Sequence, residues 1–327
     1  MSGFIIKYKP HSLCQHTLNT DTISVVQLCQ QQNNLNLIFI GPEGSGKTTI
    51  IDNIIKQYYQ NDSIKNSNST IQSNIMHITS LKDQGTIYCR NELKIFCQVR
   101  SLIPNRKKIV RIDNLDQVND QNQHIFRSLI DKYSGNVHFL CSAVNAPKII
   151  DQLQSRLVML WLKPPSLLDM QKLFQNVVKH ENMIATESAK EYIINMSKNN
   201  ISRMLHHIEK IKLANIPMTK ANLNAICDGV NYSTLEIFTN LCYQKDYTRA
   251  IRYILQLYEL GYSIIDIFYE YYNFVLLYKS FTNPIHLYKV IIIVCDCISN
   301  FYEYYEHEIE LIFFTHKIIK TLQSNQP

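Results

Sequence analysis

Eight consecutive residues, Gly41-Pro42-Glu43-Gly44-Ser45-Gly46-Lys47-Thr48, have the types and spacing to hold a chain of phosphates. Two glycines with four residues between them, followed by Lys and Thr, let the backbone turn successive N–H groups onto phosphate oxygens. Lys47 is spaced to reach the β- and γ-phosphates and the Thr48 hydroxyl to ligate Mg²⁺, with Thr49 directly behind. The glycines are not background. The chain has only 8, roughly a third of ordinary usage, and three of them fall in this one window. A second acidic group stands about 65 residues downstream, where Ile109-Val110-Arg111-Ile112 runs into Asp113. A carboxylate at the end of a β-run is the usual second half of such a site, holding Mg²⁺ through water. Arg111, inside that run, does not suit a strand buried on both faces.

These groups need a strand before the loop and a helix after it. Leu37-Ile38-Phe39-Ile40 reads as a buried strand, and residues 49–59 carry apolar positions at helical spacing. A polar stretch over 60–74 reads as a surface loop. Strands follow at 75–78, 109–112 and 136–141, alternating with helices over 90–101 and 121–133, so residues 35–162 predict a mostly parallel α/β sheet. Before it lie a short apolar-basic entry segment over 4–10 and a helix over 21–32. After Pro164-Pro165 the pattern is helical only. Ser166 and Asp169 form a capping box opening a helix to about His180, and further helices are expected over 187–198, 202–214 and 219–227. Five more follow, over 233–243, 247–259, 263–280, 285–301 and 305–322. The stripe Ile264, Ile267, Phe268, Tyr271, Tyr272 is assigned to a core.

Length and composition bound the rest. A chain of 327 residues with 46% hydrophobic content suggests two or three globular domains. Its net charge of +6 permits a polyanionic partner without demanding one. Nine cysteines lie scattered with no Cys-x-x-Cys pair, and no secretory leader is recognised, so an intracellular protein with reduced thiols is expected. Cys295 and Cys297 are expected to be buried. The apolar run 290–294 is far shorter than the ~20 residues that span a bilayer, and no membrane is expected as a partner. His206-His207 lacks a second ligand pair for a metal.

Together these residues resemble the small subunits of replication factor C, AAA+ sliding-clamp loaders, along almost the whole chain. Lys7-Tyr8-Lys9-Pro10 is similar to the family's entry segment, which lies against the adenine, and the 41–48 loop matches its phosphate loop. Ile149-Ile150-Asp151-Gln152-Leu153-Gln154-Ser155-Arg156 resembles the approach to its Ser-Arg-Cys signature, and residues 243–250 resemble a turn of its collar. The resemblance implies a P-loop AAA+ α/β domain over 1–162, an all-α lid over 163–228 and an all-α collar over 229–327. It also implies ATP or ADP bound by Lys9, Pro10, the loop from Gly41 to Thr49, and the sensor positions Asn145 and Arg203, with Mg²⁺ on Thr48 and Asp113. Arg156 would act in trans, as an arginine finger in a neighbouring subunit's site. The implied partners are other clamp-loader subunits in a hetero-oligomeric ring, a sliding clamp, and primer–template DNA held through its phosphates by Arg90, Lys94 and Arg100. The implied location is a site of DNA replication, nuclear, viral or cytoplasmic.

The departures bear on chemistry. Asn114 stands where the family has the Glu that orients the attacking water, and an amide cannot accept that proton. Leu157 replaces the signature Cys. The two sensors align with Val144 and Ser202, with Asn145 and Arg203 one place along. A nucleotide-holding scaffold and a hydrolysing motor are both compatible with the family. A small-molecule P-loop kinase would leave the helical half unexplained, and an AAA+ initiator would bring a DNA-reading module that is not recognised.

Overall fold

The computed structural model describes residues 3–10, 20–60, 68–78, 86–219, 222–223, 230, 232–277, 284–303 and 306–323. Its contacts divide the chain into two compact units, Met1–Glu181 with Asn199–Glu209, and Asn182–Lys198 with Lys210–Pro327.

The first unit is built on five parallel strands, β1 (Leu37–Ile40), β2 (Ile75–Ile78), β3 (Lys108–Ile112), β4 (Val137–Ala143) and β5 (Val158–Trp161), in the order β2-β3-β4-β1-β5. Its helices are α1 (Phe4–Lys7), α2 (Thr20–Gln31), α3 (Lys47–Gln60), α4 (Asn68–Ser73), α5 (Thr86–Gln98), α6 (Asp120–Tyr133), α7 (Asp151–Gln154) and α8 (Leu167–His180). The predicted capping box opens α8, where the Asp169 N–H donates to Ser166 Oγ at 3.2 Å. α4 occupies part of the stretch read as a loop, and the entry segment forms α1.

Alternation along each strand sends neighbouring side chains to opposite faces. On β3, Val110 and Ile112 join Leu93, Cys97 and Phe126 in one core. Ile109 joins Ile50, Ile51 and Ile54 of α3 in the other. Arg111 and Asp113 share the parity of Ile109, so both are carried to the α3 side.

One buried base tests this packing. The Leu35 N–H donates to His138 Nδ1 at 3.2 Å, which leaves Nε2 to carry the proton toward Asn33 Oδ1, also at 3.2 Å. Burial, and then Lys107, push this imidazole down to about 3. Between its ordinary value near 6.5 and 3, the unfolded chain binds a proton that the native one refuses. Stability is therefore full above pH ~6.5 and falls by up to ~1.4 kcal/mol per pH unit below it. Urea unfolding of His138→Gln against the parent across that window should show a flatter slope for the variant, and parallel slopes would contradict the assignment.

The second unit is helical: α9 (Glu187–Met196), the end of α10 (Ile201–Ala214), α11 (Tyr232–Tyr243), α12 (Tyr247–Glu259), α13 (Ile264–Leu277), α14 (Pro284–Glu303) and α15 (Ile309–Gln323). The helix expected over 219–227 lies for the most part outside the described residues. Lys245 takes the left-handed backbone conformation, φ 62°, and Asp246 then caps α12 by accepting the Arg249 N–H at 3.1 Å. Ile264, Ile267, Phe268 and Tyr271 are fully buried, as predicted, whereas Tyr272 is half-buried on the flank. Cys297 is buried, its thiol pushed up to about 11 chiefly by that burial, while Cys295 is exposed. The two are neighbours but one on an amphipathic helix, and they face different ways.

Candidate nucleotide-binding site

The phosphate loop leaves β1 and enters α3 as predicted. Gly44 has φ +74°, and a Cβ there would fall 2.2 Å from Asn200 Oδ1, so only glycine fits beneath that amide. Asn200 is itself fixed, its Oδ1 accepting the Arg203 N–H at 3.2 Å where α10 begins. A Cβ on Gly41 would meet the Leu162 carbonyl at 2.7 Å. Lys47 folds back over the loop, donating to the carbonyls of Gly41 at 2.8 Å and Pro42 at 2.9 Å. Burial draws its ammonium below the usual lysine range, against the pull of Asp116 and Glu43. Ser45 Oγ is buried with no hydrogen-bond partner among the described residues, the kind of group a phosphate oxygen satisfies. Thr48 is exposed at the start of α3.

Beside the loop lies a cavity of about 310 Å³. Ile5, Tyr8, Lys9 and Pro10 form one wall and Gly44, Ser45, Gly46 and Thr49 the floor. Asp169, Lys172, Leu173 and Asn176 of α8, with Ile201, Ser202 and Leu205 of α10, complete it. The entry segment is pinned there: Tyr8 Oη and Lys7 Nζ both donate to Glu181, Lys7 at 2.6 Å. Burial and Glu181 push the Tyr8 phenol well above its ordinary range. The structure thus gathers Lys9, Pro10 and the loop around one volume. Arg203 is exposed and outside the lining, where its neighbour Ser202 stands. Asn145 is exposed just beyond β4.

Asp113 is not left open to Mg²⁺. Its Oδ2 accepts from Arg111 Nε at 3.1 Å, Arg111 Nη2 at 2.7 Å and His77 Nε2 at 2.7 Å. Ser142 Oγ donates to Oδ1 at 3.2 Å. Burial raises this carboxyl, but Arg111 and His77 outweigh that and hold it below the usual range. Arg111 also binds Asp52 of α3, whose other oxygen takes Lys9. Each carboxylate oxygen offers about two lone-pair sites; three donors crowd Oδ2, while Oδ1 takes Ser142. Thr48 is open, but at Asp113 Oδ2 the expected Mg²⁺ and its water do not fit, because a guanidinium stands there. Asn114, next along, has φ 54°, a left-handed conformation that Asn tolerates better than Glu.

Asp116 was missed as a functional candidate. Its carboxylate accepts the N–H groups of Val144 and Asn145, each at 3.3 Å, and it attracts Lys47. It thereby ties the loop after β4 to the phosphate loop. Its place three residues beyond Asp113 was the available signal.

Arg156 lies elsewhere, on the turn after α7. Its Nε donates to Asp131 Oδ1 at 2.6 Å and its Nη1 to the Gln152 carbonyl at 2.8 Å. Arg156, foremost, holds the Asp131 carboxyl below its usual range. Lys94, on α5, and Arg100, just past it, are exposed. The Arg90 side chain lies outside the described residues.

The model of the ATPase family associated with various cellular activities (AAA) matches residues 37–164, a span holding the phosphate loop, Asp113 and Arg156. Mouse replication factor C subunit 5 is 25% identical over 275 residues, 83% of this chain and 79% of its own. Replication factor C subunit 2 of Arabidopsis thaliana is 26% identical over 268 residues, 81% and 78% of the two chains. Among solved structures, a variant of Thermotoga maritima RuvB superposes with a TM-score of 0.52 at 14% identity, covering 71% of this chain and 79% of that one. That likeness concerns the fold alone. Among the described residues no helix is long and apolar enough to cross a membrane. The chain thus carries an AAA-type match over its nucleotide-loop domain, residues 37–164, and is similar to replication factor C subunits over about four-fifths of its length.

Proposed function

We propose that the chain is an ATP- or ADP-binding subunit of a clamp loader, which acts with other subunits in a hetero-oligomeric ring to load a sliding clamp onto primed DNA. The observation that carries this reading is the cavity assembled from the entry segment, the phosphate loop, α8 and α10. Lys47 and the unpartnered Ser45 hydroxyl would meet phosphate, and the pocket bounded by Tyr8, Pro10 and Leu205 would take the base. In this reading residues 1–162 form the nucleotide domain, 163–228 the lid and 229–327 the collar. Hydrolysis at this site is weak, because losing a general base removes ~10²–10⁴ of rate and Asn114 offers only an amide. Arg156 serves the neighbour's site instead. Arg90, Lys94 and Arg100 meet DNA phosphates, a sequence-independent, salt-sensitive contact, at an intracellular site of replication.

Lys47→Ala should weaken ATP binding by about 10- to 100-fold, the loss of a charged hydrogen-bond donor. Calorimetric titration of the full chain reads this directly. An unchanged Kd in a folded variant would remove the nucleotide from this loop.

A further inference from the structure

We propose that Arg111 occupies the Asp113 carboxylate on which a divalent cation would be held, so that this subunit holds its nucleoside di- or triphosphate in the metal-free form. This inference rests on the nucleotide reading above and says which ionic form of the ligand the site takes.

Arg111 is a permanent charge, since arginine does not give up its proton in proteins, and its side chain is only 10% exposed. It lies on β3 between His77 of β2 and Leu140 of β4 in register, facing α3. There it is gripped from two sides, by Asp113 through Nε and Nη2 and by Asp52 through Nη1. Two fixed carboxylates leave the guanidinium little freedom to turn away when a ligand arrives. A divalent ion drawn to Asp113 would meet this guanidinium, which already donates to Oδ2 at 2.7 Å. It would also have to displace His77, which approaches from the other flank at 2.7 Å.

The network is locally balanced. Lys9 and Arg111 answer Asp52 and Asp113, one cation for each carboxylate. The cation end of the same network reaches the cavity, because Lys9 lines it and its Nζ binds Asp52. Lys47, on the phosphate loop, and Lys9, in the wall of the cavity, are the cations placed beside the volume a polyphosphate would fill.

The test is calorimetric titration of the full chain with ADP and with ATP, once in excess MgCl₂ and once in EDTA, joined to a count of Mn²⁺ bound per nucleotide by electron paramagnetic resonance. The proposal expects Kd values that differ by less than about tenfold between the two buffers and no Mn²⁺ held with the nucleotide. Weakening by about tenfold or more in EDTA, or one Mn²⁺ retained per nucleotide, overturns it. Absence of binding in both buffers defeats the nucleotide reading itself, a separate outcome. Arg111→Leu, with Asp113 released, should gain a tenfold or greater preference for MgCl₂. A folded Arg111→Leu still indifferent to Mg²⁺ would overturn the assignment to Arg111. Should that variant not fold, the two measurements on the parent chain decide.

Discussion

A reconstituted complex carrying Arg156→Ala should lose about 10³- to 10⁵-fold of ATP turnover at the one site that Arg156 completes, the range arginine fingers supply. The expectation joins two observations to the proposed function. Arg156 is absent from the lining of its own subunit's cavity. It sits on a turn after a one-turn helix, where among the described residues its guanidinium is bound by Asp131, Ser155 and a backbone carbonyl. In the function proposed above, its own subunit, with Asn114 after Asp113, has little turnover for it to serve. The measurement is steady-state hydrolysis in a complex whose other sites carry disabled phosphate-loop lysines. Lys47→Ala in this chain provides the contrast, and should leave that rate nearly unchanged. If Lys47→Ala slows the complex as much as Arg156→Ala, this subunit is a motor and the division of labour is wrong.

The second large effect is on stability. Phe314→Ala should destabilise the helical half by about 3–5 kcal/mol, the range for removing a buried Phe. Phe314 on α15 is fully buried. Its ring lies 4.9 Å from Phe268, 5.4 Å from Tyr271 in a T-shaped contact, and 6.3 Å from Phe238 in a stacked one. Truncation would strand three aromatic faces around a cavity they cannot close, because Phe268 and Tyr271 are fixed one turn apart on α13. Phe314→Leu retains most of the volume and should cost under ~1.5 kcal/mol. Urea unfolding of the three proteins tests the ranking. Equal midpoints for Phe314→Ala and the parent would mean that α15 does not close this core.

The elements that carry the loop were legible because each combines a period with a terminator. Leu37–Ile40 is a continuous apolar run ended by Gly41, and α8 announces itself through Ser166 and Asp169. α4 was not legible. Among its described side chains only Ile71 packs on a core, and one anchor gives no period to read. Arg111 shows the other limit. Its partners Asp52 and His77 lie 59 and 34 residues away along the chain, so that no local pattern couples them. In sequence it reads only as a charge misplaced in a strand. The sheet order that sets β2 beside β3, and the parity that turns Arg111 toward α3, convert it into the partner of Asp113. The sensor positions were ambiguous by one residue for a similar reason. On a helix, one place is 100° of rotation, and it is Ser202 rather than Arg203 that the start of α10 turns inward.

The contact between Arg156 and Asp131 has a kinetic meaning. Side chains 30% and 43% exposed form the kind of pair worth at most about 1 kcal/mol, roughly a factor of five between closed and open. The guanidinium is then loose about a sixth of the time in the free subunit. A docking neighbour can capture that population without first prising anything apart, at a toll of roughly sixfold in apparent affinity. In the proposed division of labour the finger then needs no trigger: it is stowed lightly enough that assembly itself would be the signal.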